Sequence, residues 1–396
     1  MTVALYTEYL DQRPNLEQLT ALRKEQLRRI GELRGGRDVI VIAADLRASG
    51  NGPNPSLEYG DILPVADLLR DLSGASVDVI LETPGGSGEV AEEIVRLLHD
   101  KYDDVAFIVP GWAKSAGTIM VMSGDEILMG STSALGPIDA QIGWQGKVFS
   151  ADALIEGMDK IKREVEDTGT LNKAYIPMLS NISPGELQHA EDALQFAKDL
   201  VRDWLVRYKF KDWAVHSSTG APVTDNERQA RAQVVADQLC DQRRWKTHGR
   251  SIRMDDLRAM RVRITDYAER PGLAEAIDRY AALMRMTFDS NIFKVFEDSE
   301  HQIYRAAANP AIQPTPSTPE AVEKADAAVE CGKCHAKLTV QIDLKPGLAL
   351  QPGRIAYPAS NVLRCPQCGN EIDLTETRRQ IELMTKKTIV PRGDES

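Results

Sequence analysis

The chain has 396 residues, too many for one small core, and carries 48 Lys+Arg against 59 Asp+Glu for a net charge of −11. That acidic balance argues against nucleic acid or an anionic lipid surface as the default partner, since both share its sign. No stretch supplies the roughly 18 consecutive apolar residues of a membrane span. The opening MTVALYTEYLDQRPNLEQ lacks the basic-then-apolar order of a signal peptide, so a cytoplasmic location is expected.

Residues 1–36 contain LEQLTALRKEQLRRIGELRGG, a charged amphipathic helix stopped by Gly35 and Gly36. DVIVIAADL (38–46), SVDVILET (76–83) and VAFIVPG (105–111) are short continuous apolar runs, the pattern of strands buried on both faces. GDILPVADLLRDL (60–72) and EVAEEIVRLLHDKY (89–102) alternate with them as helices, and DEILMG (125–130) predicts one more short strand. Strand, helix, strand, helix, strand means βαβ crossovers and a parallel α/β sheet covered on both faces. The core is expected over 37–180, followed by a charged helical extension over 181–304. AAANPAIQPTPSTPEAVEKADAA predicts a linker over 305–328, before a cysteine module at 329–374 and a polar tail at 375–396.

Two loops of this sheet carry chemistry. In ETPGGSGEVAEE the glycines Gly85 and Gly86 end a strand just before a helix, so backbone N–H groups can approach a ligand closely. In GWAKSAGTIMVMSGDE, Ser115 stands at a strand-to-helix corner and is followed by the small Ala116 and Gly117. A serine there is a helix cap or a nucleophile. The two loops together favour the nucleophile, with N–H donors of the Gly85–Gly86 loop and of Ala116 forming an oxyanion hole.

TPGGSGEVAEEI followed by GWAKSAGTIMVMSGDEILMGSTSALGPIDAQI resembles the Clp/crotonase superfamily of serine peptidases. Within it the chain is most similar to the serine dehydrogenase proteinase family, related to signal peptide peptidase and to the proteases of stomatin operons. The resemblance is strong over about 38–180 and does not cover the C-terminal module. It implies a Clp/crotonase-like parallel sheet, with Ser115 as nucleophile and Gly85, Gly86 and Ala116 as oxyanion donors. It also implies protein or peptide substrates, ATP-independent cleavage through an acyl-enzyme, and assembly with other copies of the chain. A membrane-associated or other protein partner fits the same resemblance.

The Clp-type histidine is missing, because no histidine lies between His99 and His189, and Asp139 stands near its place. His99 reads as a solvated side chain beside Asp100. Relatives of signal peptide peptidase use a lysine, for which Lys147, Lys160, Lys162 and Lys173 are in range. In ADALIEGMDKIKREVEDTG, Leu154, Met158, Ile161 and Val165 share one helical face. Lys162 borders that face while Lys160 points away, and a base that must be neutral near pH 7 needs partial burial. Lys162 is therefore the expected base, with Lys160, Lys173 and His248 of KTHGRSI as the alternatives; His248 precedes a glycine and reads first as a capping residue, and Lys114 is directed at substrate or solvent.

CGKC (331–334) and CPQCG (365–369) place Cys331, Cys334, Cys365 and Cys368 as two CxxC pairs, the spacing of a closed structural Zn²⁺ site in a small zinc ribbon. Such a module recognises substrate or partner protein; nucleic acid is not expected in so acidic a chain. A non-proteolytic crotonase-like acyl-CoA enzyme and an inactive peptide-binding scaffold are the alternatives to a serine endopeptidase.

Overall fold

The computed structural model describes residues 5–47, 53–144, 147–180, 182–216, 218–307, 323–385 and 387–391. It divides into two compact units, Met1–Asn309 and Pro310–Ser396.

The first unit starts with α1 (Leu5–Gln12) and α2 (Leu16–Leu33). A reciprocal pair of bonds, Gln18 N–H to Asn15 Oδ1 and Asn15 N–H to Gln18 Oε1, each 2.9 Å, caps the start of α2. Gly35 and Gly36, both at φ near +80°, end it as the sequence predicts. Then follow β1 (Asp38–Ala44), α3 (Ile62–Asp71), β2 (Ser76–Glu82), α4 (Gly88–Lys101), β3 (Asp104–Val109), the short β4 (Trp112–Ala113), α5 (Ala116–Met122), β5 (Glu126–Met129) and β6 (Ala134–Leu135). A hairpin of β7 (Gln141–Trp144) and β8 (Lys147–Ser150) leads into α6 (Ala151–Thr168), α7 (Ile176–Leu179), α8 (Pro184–Trp204), α9 (Asp225–Cys240), α10 (Gln242–Trp245) and α11 (Met254–Ala259). The unit closes with β9 (Thr265–Asp266), α12 (Pro271–Thr287), β10 (Ile292–Glu297) and β11 (Gln302–Ala306).

Seven strands form the main sheet in the order β11-β10-β1-β2-β3-β5-β9. β1, β2, β3, β5 and β9 run parallel, and β10 and β11 are antiparallel additions at one edge. Apolar side chains of α3, α4, α5, α8 and α9 cover one face, and those of α2 and α12 cover the other. The parallel strands are buried almost throughout, which is why they read as unbroken apolar runs.

The stretch expected to be helical to 304 instead returns to the sheet. Ile292, Phe293, Val295 and Phe296 are β-branched or aromatic, and pairing with β1 outweighs the helical character of the preceding hundred residues. A buried cluster fixes this edge to the N-terminal helix. Arg23 donates to both carboxylate oxygens of Glu297 at 2.9 Å, and Tyr280 Oη donates to Glu297 at 2.7 Å.

In the second unit β12 (Lys324–Glu330) pairs antiparallel with β13 (Lys337–Asp343), which β14 (Ile355–Ala356) joins in parallel. β15 (Val362–Arg364) and β16 (Glu371–Asp373) form a hairpin, and α13 (Thr375–Thr385) follows. Residues 308–322, most of the expected linker, lie outside the described residues, and 324–328 belong to β12. Val340, Ile342, Tyr357 and Leu363 form a small core with the buried Cys331 and Cys365. Among the described residues no helix is long and apolar enough to cross a membrane.

Candidate active site

Parallel strands deliver their carboxyl ends to one edge of the sheet, and two corners meet there. Thr83, just beyond β2, bridges to Ala113: Thr83 N–H donates to Trp112 O and Lys114 N–H to Thr83 O, both at 3.0 Å. β4 pairs in turn with β6, and Leu135 of β6 exchanges two 2.9 Å bonds with Ile252. This small ladder holds Ser115 against the glycine loop.

Ser115 adopts φ 49° and ψ −113°, a sparsely populated conformation for a residue with a side chain. Its hydroxyl makes no capping bond to α5, although Ile119 N–H donates to its carbonyl at 3.1 Å. The capping reading of Ser115 therefore has no bond to rest on. A Cβ on Gly85 would come within 2.7 Å of Ser115 Cβ, so only glycine lets the loop pass this close. Gly86, at φ +141°, is pressed on Leu57, where an added Cβ would meet backbone at 2.4 Å. Gly117 is held as tightly, since its Cβ would collide with the Thr83 methyl at 2.4 Å.

The donors divide unequally. Gly85 N–H is engaged by Thr83 Oγ1 at 3.2 Å. Among the described residues no acceptor takes the N–H of Gly86 or of Ala116, which opens α5. These two remain available to a ligand's oxygen.

The lysines do not behave as the sequence suggests. Lys162 is 57% exposed at its side chain and pairs with Asp159 at 3.6 Å, one turn away on α6. Among the described residues no polar contact joins it to the Ser115 corner. The physical reason lies in the apolar stripe: Leu154, Met158, Ile161 and Val165 are only partly covered, so a residue bordering them stands in solvent. Lys160 and Lys173 are exposed as well, and the side chain of Lys147 lies outside the described ones. Lys114 turns inward instead. Its ammonium donates to Leu135 O and Arg250 O at 3.2 Å and to Ser251 Oγ at 3.3 Å, and burial, with Arg253 nearby, lowers its pKa to about 8.

Two further groups meet on segments that adjoin this corner. Asp139 is buried, accepts from Gln141 Nε2 and Ser150 Oγ at 2.6 Å, and lies 3.6 Å from Nδ1 of His248. That nitrogen is buried and, among the described residues, has no hydrogen-bond partner. Asp139 follows Gly136, whose N–H and C=O both bond Thr118 Oγ1 on α5; His248 precedes Arg250, whose carbonyl holds Lys114. Both therefore belong to the segments that frame Ser115. The sequence offered no signal for their meeting, because it depends on the helical insertion folding back over the sheet. His99 is not solvated: it stacks on Tyr208 with ring centroids 3.5 Å apart and bonds Ser123 O at 3.1 Å, and burial lowers its pKa.

In the second unit the four sulfurs of Cys331, Cys334, Cys365 and Cys368 lie within 4.8 Å of one another, with 3.6 Å between Cys331 and Cys368 and 3.7 Å between Cys334 and Cys365. Four thiolates at about 2.3 Å from a tetrahedral Zn²⁺ stand about 3.8 Å apart, so the donor set fits that ion. The backbone N–H groups of Cys334 and Lys333 lower the pKa of the Cys331 thiol, while at Cys334 the lowering by the Ala336 N–H is outweighed by hydrogen bonds to the Cys368 and Cys365 sulfurs, which raise its pKa. His335 is exposed and pairs with Glu330 at 3.0 Å, outside this set.

Two uncharacterized proteins of Methanocaldococcus jannaschii are 28% and 27% identical over 174 and 155 residues, covering 42% and 37% of this chain. The chain spans only 59% and 53% of those relatives' own length. A solved structure of a mutant of the membrane-bound stomatin-specific protease 1510-N is similar at 18% identity and a TM-score of 0.22, over 29% of this chain and 60% of that one. Residues 3–218, more than half of the sequence and including Ser115 and the Gly85–Gly86 loop, match one family throughout, and the chain belongs to it: the ClpP-like SDH-type serine proteinases.

Proposed function

We propose that the chain is a peptidase that cleaves peptide bonds through an acyl-enzyme on Ser115. The observation that carries this reading is the strained, uncapped Ser115 packed on Gly85 and flanked by the unengaged N–H groups of Gly86 and Ala116. Ser115 Oγ attacks the peptide carbonyl, whose oxygen becomes an oxyanion between the two N–H donors. His248 takes the serine proton, directly or through one water, and returns it to the leaving amine. Asp139 stabilises the imidazolium across the present 3.6 Å gap, a separation that substrate binding closes. The role the sequence suggested for Lys162 is not kept, since its ammonium is exposed and paired on its own helix.

A fluorophosphonate probe should label Ser115, read by peptide mass spectrometry, and Ser115→Ala should abolish both labelling and cleavage of an unfolded protein. His248→Ala should lose most cleavage and Lys162→Ala should retain it; the reverse result restores the lysine base. Unaltered cleavage by Ser115→Ala would overturn the serine mechanism, whereas no cleavage by the wild-type chain would favour acyl-CoA chemistry on the same fold.

The chain is further proposed to assemble with copies of itself, burying the half-covered stripe of Leu154, Met158, Ile161 and Val165 on α6. Light scattering that shows a monomer at micromolar concentration overturns that part. Zn²⁺ on the four cysteines would supply structure alone, because a closed thiolate set leaves no position for substrate. The ribbon it holds is proposed to recognise substrate or a partner protein.

A further inference from the structure

A cleft of about 470 Å³ opens at Trp112 of β4, three residues before Ser115. Trp112, Ala281 and Ala282 form its apolar walls, and Glu82, Arg253 and Arg285 bring its charge. Trp112 is 48% exposed, a large surface to leave in water next to a reactive residue. Trp112 precedes Ser115 by three residues, and three residues of chain span at most about 11 Å. A peptide lying extended across Ser115 advances about 3.3 Å per residue. Side chains two or three positions from the attacked carbonyl are therefore within reach of this cleft.

Its charges do not cancel. The Glu82 carboxylate is buried and taken by the Arg285 guanidinium, which donates to it directly. Arg253 is exposed, and its side chain donates to a neutral partner, Ser131 O, at 3.0 Å. Among the described residues no carboxylate side chain pairs with the Arg253 guanidinium. Behind Trp112 lies a further cation, Lys114, with its ammonium 5.4 Å from the ring centre. In a chain of net charge −11, the lining here holds one carboxylate against two guanidiniums. A planar guanidinium with free N–H groups matches a carboxylate bidentately and in a fixed orientation. The apolar walls suit the methylene stem that leads to such a group.

We infer that this cleft binds a carboxylate of the peptide substrate, with Arg253 as the residue that recognises it. The carboxylate belongs to an acidic side chain or to the C-terminus of the peptide. The inference rests on the peptide-cleaving reading for its biological sense, but binding can be measured without cleavage.

The test uses the full chain carrying Ser115→Ala and fluorescent hexapeptides of alanine, in which one Glu is scanned along the sequence with the C-terminus amidated. Matched peptides carry Gln or Lys in place of Glu, and an all-alanine peptide is offered with a free or an amidated C-terminus. Fluorescence anisotropy reads the Kd. A charge-assisted pair should make the carboxylate peptide bind about tenfold to a hundredfold more tightly than its neutral match. Glu at one position or the free C-terminus will carry the gain, which identifies the source. Adding Arg253→Gln should erase the difference, and Arg253→Glu should turn it in favour of Lys. No binding, equal binding of Glu and Gln peptides, or a preference that survives Arg253→Gln overturns the inference. The wild-type chain is incubated with the same peptides and read by mass spectrometry. Binding preference without cleavage sinks the peptidase reading and leaves the cleft assignment standing, whereas cleavage without preference does the opposite.

Discussion

Replacing Ser115 by glycine and by alanine separates strain kept for reaction from an ordinary helix cap. The serine backbone sits at φ 49° and ψ −113°, and its hydroxyl caps nothing. Conformations of this kind cost about 1–3 kcal/mol in a residue with a Cβ. Glycine removes that cost but adds about 0.5–1 kcal/mol of lost chain freedom on folding, so Ser115→Gly should be more stable than wild type by about 1 kcal/mol. Ser115→Ala keeps the Cβ and loses no capping bond, so its stability should stay within about 0.5 kcal/mol of wild type. Unfolding entropy is about 2.1 cal/mol/K per residue, so for a unit spanning Met1–Asn309 each 1 kcal/mol moves Tm by about 1.5 °C. Urea denaturation resolves the difference better than a thermal scan. Both variants should lose peptide cleavage. If the serine were a cap, alanine would cost about 1 kcal/mol and glycine a few tenths, placing both below wild type. That ordering would falsify the strained-nucleophile argument.

Arg23 is fully buried and holds Glu297 across the joint between α2 and β10, so Arg23→Ala should cost about 3–5 kcal/mol by leaving that carboxylate unpaired, measured by denaturation midpoint. A chain purified without chelator should carry one Zn²⁺ by elemental analysis; Cys365→Ser should release it and melt the ribbon, leaving the first unit's unfolding transition in place. Lys209 is half-buried, its ammonium donating to Asp125 O at 3.1 Å, and desolvation lowers its pKa from 10.5 to about 8 in the folded chain. Between about pH 8 and pH 10.5 the unfolded chain then binds the extra proton, so this group makes stability rise with pH across that window. Lys209→Met should flatten the rise in urea midpoint between pH 7.5 and pH 9.5, and an unchanged slope would discount the effect.

What the sequence determined by itself was local in origin. Three apolar runs with helices between them can satisfy their backbone and bury both faces only as a parallel sheet, so Asp38–Ala44, Ser76–Glu82 and Asp104–Val109 were legible as strands. Glycines in two loops and a serine at a corner marked the place of the candidate chemistry, and CxxC spacing marked a metal set, because each pattern is closed over a few residues. The hairpin Ile292–Ala306 was hidden, since its strands gain their stability from β1, some 250 residues away in the chain. The choice of base was hidden for the same reason. Helical periodicity gives the face of α6 but not whether anything covers it, and here the stripe beside Lys162 stays half open. Only tertiary structure brings His248 to Asp139, turns Lys114 inward, and, among the described residues, leaves the Arg253 guanidinium without a carboxylate partner at the Trp112 cleft. Burial and charge pairing are properties of neighbours distant in sequence, and chain folding alone decides which neighbours meet.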